Sequence, residues 1–397
     1  MDYRRIVHYP GFVDLKVTVV MIDNFSIERV DRKQNDFIIL VFIILLAGIG
    51  ITMMFSASYY YGLKRFNDPN HFLTSQLISL CVGLALFFIA FKISLDLLRK
   101  SVPVVLFASL ILTALTFLPG ISEEVLGARR WLYIGPLSFQ PSEAVKFALI
   151  LYLASILSKK ENRMGDFFNT VLPPLLIIAV FVALVYLQND FSTAVFIFLS
   201  SFFMLFIAGV PIGYFLSLIV AAAPICVLLL FSKEHRVRRL VTFLDPASDP
   251  SGAGYQIIKA QQSLARGGLW GSGLGSGTAK LGGLPEVQSD FVFAVLGEES
   301  GFLGVVFVLA LFLGFGIRGF MVAMRMKSKF KALLAFGITS SILYQALLNM
   351  AVVSGLVPAT GIPLPFFSHG GTSLMVTLAM CGLLMNIAND KEDGPDE

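Results

Sequence analysis

Charge is scarce in this chain. Of its 397 residues only 14% are Asp, Glu, Lys or Arg, and its mean hydropathy of +0.80 lies well above that of water-soluble domains. A soluble enzyme, a nucleic-acid-binding protein and a disordered scaffold all need a charged surface, so these classes, and nucleic acid as a partner, are excluded. Cysteine is nearly absent too. Cys81, Cys226 and Cys381 lie far apart inside apolar runs, without a CxxC or Cys/His spacing, so no disulfide framework or zinc site can be read. The glycine-rich run GGLWGSGLGSGTAKLGG at 267–283 lacks the Gly-Lys-Ser/Thr ending of a phosphate loop, and permissive backbone without a nucleotide is expected there. No cleavable leader is expected, because the first 36 residues carry six Lys or Arg and no apolar stretch that runs into a small-residue cleavage site. Met21 is an alternative start that would leave a short charged tail.

What is present is apolar: 56% of the residues are hydrophobic. Runs near 37–57, 72–95, 102–119, 143–158, 169–187, 191–210, 213–231, 297–317, 332–354 and 371–388 predict ten helices, each near the length of about 20 residues that a bilayer requires. The run at 143–158 is short and opens with Glu143 and Lys146, which makes it the weakest candidate to span. The expected architecture is an all-α polytopic membrane protein. It comprises a tail at 1–36, a ten-helix domain at 37–390 with a long loop at about 232–296 between helices 7 and 8, and a second tail at 391–397.

Positive charge sets the orientation. With ten crossings both termini share a side, and the short segments on that side hold eighteen of the 30 Lys and Arg against four in the opposite short loops. Both termini are therefore expected in the cytoplasm, and the 232–296 loop outside it, beyond the reach of cytosolic ATP.

Residues that could carry chemistry are few. The segment LPEVQSDFVFAVLGEES sets Glu286, Asp290, Glu298 and Glu299 around an apolar stretch at the outer surface, where a carboxylate at membrane depth costs about 2.5 to 3.5 kcal/mol. Asp290 suits a functional carboxylate and a helix N-cap equally well. In GARRWLYIGPLSFQPSEAVKFALI, Glu143 and Lys146 are three apart on a helix face. They read as an ion pair or as the wall of a polar cavity, and Arg129 and Arg130 with Trp131 as anion ligands or headgroup anchors. Asp190 in QNDFSTA is a helix cap or a cavity residue. Arg236, Arg238, Arg239, Lys259 and Arg266 make the outer loop basic, which suits anionic lipid or a pyrophosphate. The segment GLVPATGIPLPFFSHGGTS cannot be helical, so it is external or re-entrant, and His369 within it reads first as a packed polar residue.

The strings QNDFSTA, FLDP, LPEVQSDFVFAVLGEE and GLVPATGIPLPFFSHGGTS, in this order on ten helices, resemble the SEDS proteins, the FtsW, RodA and SpoVE group. The likeness runs over nearly the whole chain, and the spacing from Gly275 to Glu286 with the Gly297-Glu298-Glu299 ending looks more like the division member than the elongation member. The resemblance implies a peptidoglycan glycosyltransferase that polymerises lipid II (undecaprenyl-pyrophosphate disaccharide-peptide) outside the bacterial cytoplasmic membrane. It implies a class B penicillin-binding transpeptidase and other divisome membrane proteins as partners. It places the family's catalytic aspartate on Asp290 and its neighbouring glutamate on Glu286. The chain departs from the family pattern where Gln288 replaces a common His, Asn189 a proline, Ser192 a glycine and His369 a common Tyr.

For such a reaction Asp290 would take the proton of the attacking sugar hydroxyl, help that typically contributes about 10² to 10⁴ in rate. Arg130 would stabilise the pyrophosphate. Asp190, Glu143, Lys146, Arg239, Lys259 and Glu299 are further candidates to bind substrate, and Mg2+ or Mn2+ is a candidate ion. Lipid II transport past Glu143, Lys146 and Asp190, an elongation-type polymerase and a non-enzymatic divisome scaffold are the alternative readings.

Overall fold

The computed structural model describes residues 37–390, apart from 119, 126–127, 135–136, 250–251 and 285–286. Both expected tails and Glu286 lie outside the described residues.

The chain opens with α1 (Phe37–Phe66), whose 30 residues extend about 45 Å, longer than a hydrocarbon core of about 30 Å. Asn67 stops it at φ 55, a left-handed cap that asparagine tolerates, and its N–H bonds to Leu63 O at 3.1 Å. Then come α2 (His71–Lys92), the short α3 (Leu95–Lys100), capped by Ser94 Oγ, and α4 (Val102–Leu115).

The next segment adds a small sheet to the all-α membrane fold. β1 (Ser122–Val125), β2 (Ala128–Ile134) and β3 (Leu137–Phe139) form an antiparallel meander, with Ser122 opposite Leu132 and Leu132 opposite Phe139. Along β2, Ala128 and Leu132 are buried while Arg129 and Tyr133 are exposed, a period of two that a 19-residue hydropathy window averages away.

The rest is α5 (Pro141–Lys159), α6 (Leu172–Leu187) after a π turn, α7 (Phe191–Ile207), α8 (Ile212–Phe231), α9 (Glu234–Leu244), α10 (Ala253–Gly267), α11 (Val292–Arg325), α12 (Lys329–Val353) and α13 (Gly371–Ala388). Among the described residues eight helices are long and apolar enough to cross a membrane, and α4 and α7 are shorter apolar helices. The segment expected as one long loop at 232–296 contains α9, α10 and the first turn of α11. The weakest span candidate is the most enclosed. In the best 18-residue window of α5, 72% of residues are buried, against 6% in α8. α5 is less apolar because its neighbours are other helices rather than lipid.

Glycine sets two close approaches. Gly301 breaks α11 at φ 68, and a Cβ there would stand 2.3 Å from Gly271 N. Across this break the glycine-rich run pairs its backbone with the opened helix, Phe302 N to Gly268 O at 2.9 Å and Ser272 N to Glu298 O at 2.9 Å. At the other, Gly50 of α1 admits the Phe366 carbonyl, which a Cβ would meet at 2.3 Å.

The connections sort into two ends. At one, Lys331 Nζ pairs with Asp390 at 2.9 Å, Lys329 with Glu161 at 3.3 Å, and Arg99 donates to Ser158 Oγ at 3.0 Å. At the other, Gln188 donates to Thr116 Oγ1 at 2.8 Å, Gln140 N to Thr372 Oγ1 at 3.0 Å, and His369 N to Gln288 O at 2.8 Å. The short loops rich in Lys and Arg thus meet one another, and the candidate site residues gather at the opposite end.

Candidate active site

Asp190 is the N-cap of α7 and more than a cap. Its Oδ1 accepts from Thr193 N at 3.2 Å, while Oδ2 stands 3.5 Å from Arg130 Nη1 and 3.4 Å from Gln140 Nε2. The preceding Asn189 has φ 63, which the ring of a proline cannot adopt, so the local backbone differs from that of a proline-bearing relative. The β2–β3 hairpin carries Arg130 and Gln140 to this carboxylate, leaving Asp190 only 4% exposed.

Arg239 reaches the same region from α9. That helix is held by Arg236, whose buried guanidinium donates to Tyr186 Oη at 2.8 Å and Leu229 O at 2.7 Å and lies over the rings of Tyr186 and Phe191. Although Arg239 is exposed to solvent, surrounding protein desolvates its guanidinium and lowers its pKa. Arg130 acts in the same sense, while Asp290 and Asp190 act against it. Arg239 stays protonated, and the four groups share one electrostatic field.

Asp290 and Arg239 line a cleft of ≈ 220 Å³ together with Gln256, Phe291, Asn349 and Ile362. Asp290 lies one residue outside Phe291, the N-cap of α11, and a Cβ placed on Gly361 would be 3.6 Å from its Oδ2. Asn349 Nδ2 donates to the backbone carbonyls of Asp290 at 3.0 Å and Ile362 at 2.9 Å, tying the start of α11 to the segment between α12 and α13.

Other residues singled out in the sequence lie elsewhere. Glu143 and Lys146 form a buried pair at 2.8 Å, and Lys146 also donates to Gln345 Oε1 at 2.8 Å. Gln345 in turn donates to Pro363 O at 2.9 Å, so this pair is a strut from α5 through α12 to the 354–370 segment and not part of the cleft lining. Glu299, expected to bind substrate, is fully buried. It takes Lys280 Nζ at 2.6 Å, Ser56 Oγ at 2.8 Å and Gly275 N at 3.0 Å. Its neighbour Glu298 accepts from Thr278 N, Thr278 Oγ1 and Ala279 N. Both carboxylates hold the glycine-rich run instead of facing the cleft. Lys259 lies 5.5 Å from the Tyr255 ring on α10, outside the cleft lining. Arg238 is exposed beside Glu234, and Arg266 donates to Thr278 Oγ1. His369 packs edge-on against Phe72 at 5.0 Å, and burial, with His71 adding to it, pushes its pKa down to about 4. Two departures from the family pattern, Gln288 and His369, meet through the backbone bond already given.

Asn349, Gln345 and Gln256 were missed in the sequence. A signal existed for two of them: Gln345 and Asn349 stand four apart in an otherwise apolar run, hence on one helix face, and polar side chains there demand partners. Among the described residues no three His, Cys, Asp or Glu converge as a metal-binding group.

Fold and site together define a polytopic membrane protein with a cleft of carboxylate and guanidinium groups at one end of its helical bundle. The chain belongs to the SEDS family of FtsW/RodA-like peptidoglycan glycosyltransferases: the profile of the FtsW/RodA/SpoVE cell cycle proteins matches residues 36–393. It is 39% identical over 351 residues to a Borreliella burgdorferi protein named "Probable peptidoglycan glycosyltransferase FtsW", covering 88% of this chain and 96% of that one. Two solved structures are similar. One, described as "Structural coordination of polymerization and crosslinking by a peptidoglycan synthase complex", has TM-score 0.74 at 29% identity, over 91% of this chain and 99% of that one. Thermus thermophilus RodA has TM-score 0.65 at 27% identity, over 91% of this chain and 98% of that one.

Proposed function

We propose that this chain is the division-type member of its family, polymerising lipid II on the outer face of the bacterial cytoplasmic membrane beside a class B penicillin-binding transpeptidase and other divisome membrane proteins. The observation that carries the reading is the sharing of one cleft by Asp290 and Arg239, with Arg130 and Asp190 in the same field. The name of the Borreliella burgdorferi relative supports the division role, and the likeness to a synthase complex that coordinates polymerization and crosslinking supports a crosslinking partner.

In this reading α4 and α7 cross the membrane with the eight longer helices. The basic loops and both termini are cytoplasmic, and the cleft opens outside.

The chemistry follows from the groups present. A sugar hydroxyl attacks the anomeric carbon of a second lipid II. The new glycosidic C–O bond forms as the bond to the pyrophosphate oxygen breaks, and its electron pair leaves on undecaprenyl pyrophosphate. The hydroxyl proton passes to the Asp290 carboxylate. Arg239 and Arg130 hold the charge that develops on the leaving pyrophosphate. Were Mg2+ or Mn2+ bound, Asp290 and Asp190 are the carboxylates that would hold it, and it would supply positive charge to the leaving pyrophosphate. No step is routed through it.

The test is glycan synthesis by purified protein from lipid II in detergent, where nothing has to be flipped. Polymer is expected, and Arg239→Ala should slow its formation by about tenfold or more, the worth of one charge-assisted contact. A folded chain that makes no polymer, alone and with its transpeptidase, contradicts the proposal.

A further inference from the structure

A cavity of ≈ 440 Å³, twice the volume of the cleft that holds Asp290, lies at the opposite end of the bundle, where the basic loops meet. Small-molecule sites run from about 300 to 1,000 Å³, so it can take a ligand. It forms where α2 ends. Ile93 turns the chain into extended backbone, and Asn386 Nδ2 on α13 donates to Ala90 O at 2.9 Å and Ile93 O at 2.7 Å, taking up carbonyls left open at the helix end. Lys92 and Asp96 stand on either side of this held bend, and both line the cavity.

Four charged side chains belong to the lining. Two of them, Lys331 and Asp390, pair with each other at 2.9 Å. The other two, Lys92 and Asp96, are exposed, and neither forms an ion pair with a described residue. Arg99, one turn on from Asp96, is engaged elsewhere: it donates to Ser158 Oγ and lies 5.2 Å from the Phe330 ring. The cavity therefore offers a ligand one cation and one carboxylate while staying neutral as a whole. Its depth in the bilayer follows from α2, whose 22 residues extend about 33 Å against a hydrocarbon core of about 30 Å, which puts Lys92 at headgroup level. Leu84, Phe88 and Ile89, eight, four and three residues earlier on the same helix face, are all exposed. A polar group held at Lys92 thus has an apolar track beneath it, as an acyl chain requires.

The charges select the headgroup. A purely anionic one would be attracted by Lys92 and repelled by Asp96. A choline headgroup has no N–H to give a carboxylate, and it is usually received by a cage of aromatic rings, whereas this lining holds one ring, Phe91. An ethanolamine headgroup carries a phosphate for Lys92 and an ammonium whose N–H groups suit Asp96. We propose that the cavity binds the headgroup of a zwitterionic aminophospholipid of the surrounding bilayer. Lys92 meets the phosphate, Asp96 accepts from the ammonium, and an acyl chain lies along Leu84, Phe88 and Ile89.

The experiment measures binding to the purified full-length chain in detergent, so its outcome is independent of polymerisation. The probes are phosphatidylethanolamine, phosphatidylglycerol and phosphatidylcholine, each with a fluorophore on an acyl chain. The parent should bind the ethanolamine probe about fivefold more tightly than either of the others, the worth of one charge at a membrane surface. Asp96→Asn and Asp96→Ser should abolish that preference, and Lys92→Gln should weaken all three probes by about fivefold, each variant melting like the parent. Glycerophosphoethanolamine, the same headgroup without chains, should not displace the probe at equal concentration. Equal binding of the three probes, tightest binding of the glycerol probe, or a preference that survives both Asp96 variants would overturn the proposal. So would undiminished binding by Lys92→Gln, and displacement by the chainless headgroup would assign the cavity to a soluble zwitterion instead of a lipid.

Discussion

Arg130 Nη1 stands 3.5 Å from Asp190 Oδ2, joining a strand of the small sheet to the N-cap of α7. The carboxylate caps the helix with one oxygen and meets the cation with the other, so its two functions can be separated. Asparagine caps helices as well as aspartate, and Asp190→Asn should leave thermal stability in detergent nearly unchanged while lowering polymerisation by about tenfold or more. Asp190→Ala should in addition lose about 1 kcal/mol of stability. Equal activity of parent and Asn variant would assign Asp190 to capping alone.

The Glu143–Lys146 pair is expected to behave as a buried strut. Removing one partner leaves an uncompensated charge, so Lys146→Met alone should destabilise the protein by about 3 to 5 kcal/mol, while the double variant Glu143→Gln, Lys146→Met should recover much of that loss. Thermal unfolding of the purified variants gives the comparison. A double variant worse than both single ones would show that the charges do more than neutralise each other.

How far the sequence could be read depended on how each residue earns its place. The apolar runs were legible because lipid rewards every apolar side chain, and Asp290, Asp190, Arg130 and Arg239 were legible because charge at the bilayer edge is conspicuous. The β2 strand was not, since seven residues alternating in and out vanish in a long window. The protein partners of Glu299 were hidden for a different reason. A buried carboxylate can be paired with a substrate or with protein, and its partner Lys280 sits in a glycine-rich run that looked merely permissive. Asn349 escaped because an uncharged amide in an apolar run carries little weight until its two carbonyl partners are seen.

Glu299 should therefore control the order of the glycine-rich run. Glu299→Ala removes the acceptor for Lys280, Ser56 and Gly275 N, and limited proteolysis should cut within 267–283 at least about tenfold faster, the equivalent of one lost buried hydrogen bond. Unchanged cleavage would mean that Glu298 and the backbone pairs suffice.

His369 gives a pH dependence with a definite sign. Its folded pKa, pushed down to about 4 by burial and then by His71, lies below the ordinary value of 6.5. The unfolded chain therefore binds the proton first, and the stability tied to neutral His369 is lost as pH falls from about 6.5 towards 4. The whole effect amounts to roughly 3 kcal/mol. His369→Gln should flatten the melting temperature across that window. A variant with the same pH slope as the parent would place the titration elsewhere.

The central claim is that the Asp290 carboxylate accepts the proton of the attacking hydroxyl. It is tested most directly by the rate of lipid II polymerisation by purified Asp290→Asn, with lipid II binding measured on the same preparation. Binding within about twofold of the parent and a rate lower by about 10² to 10⁴ are expected. An Asn variant that binds and polymerises like the parent would contradict the account.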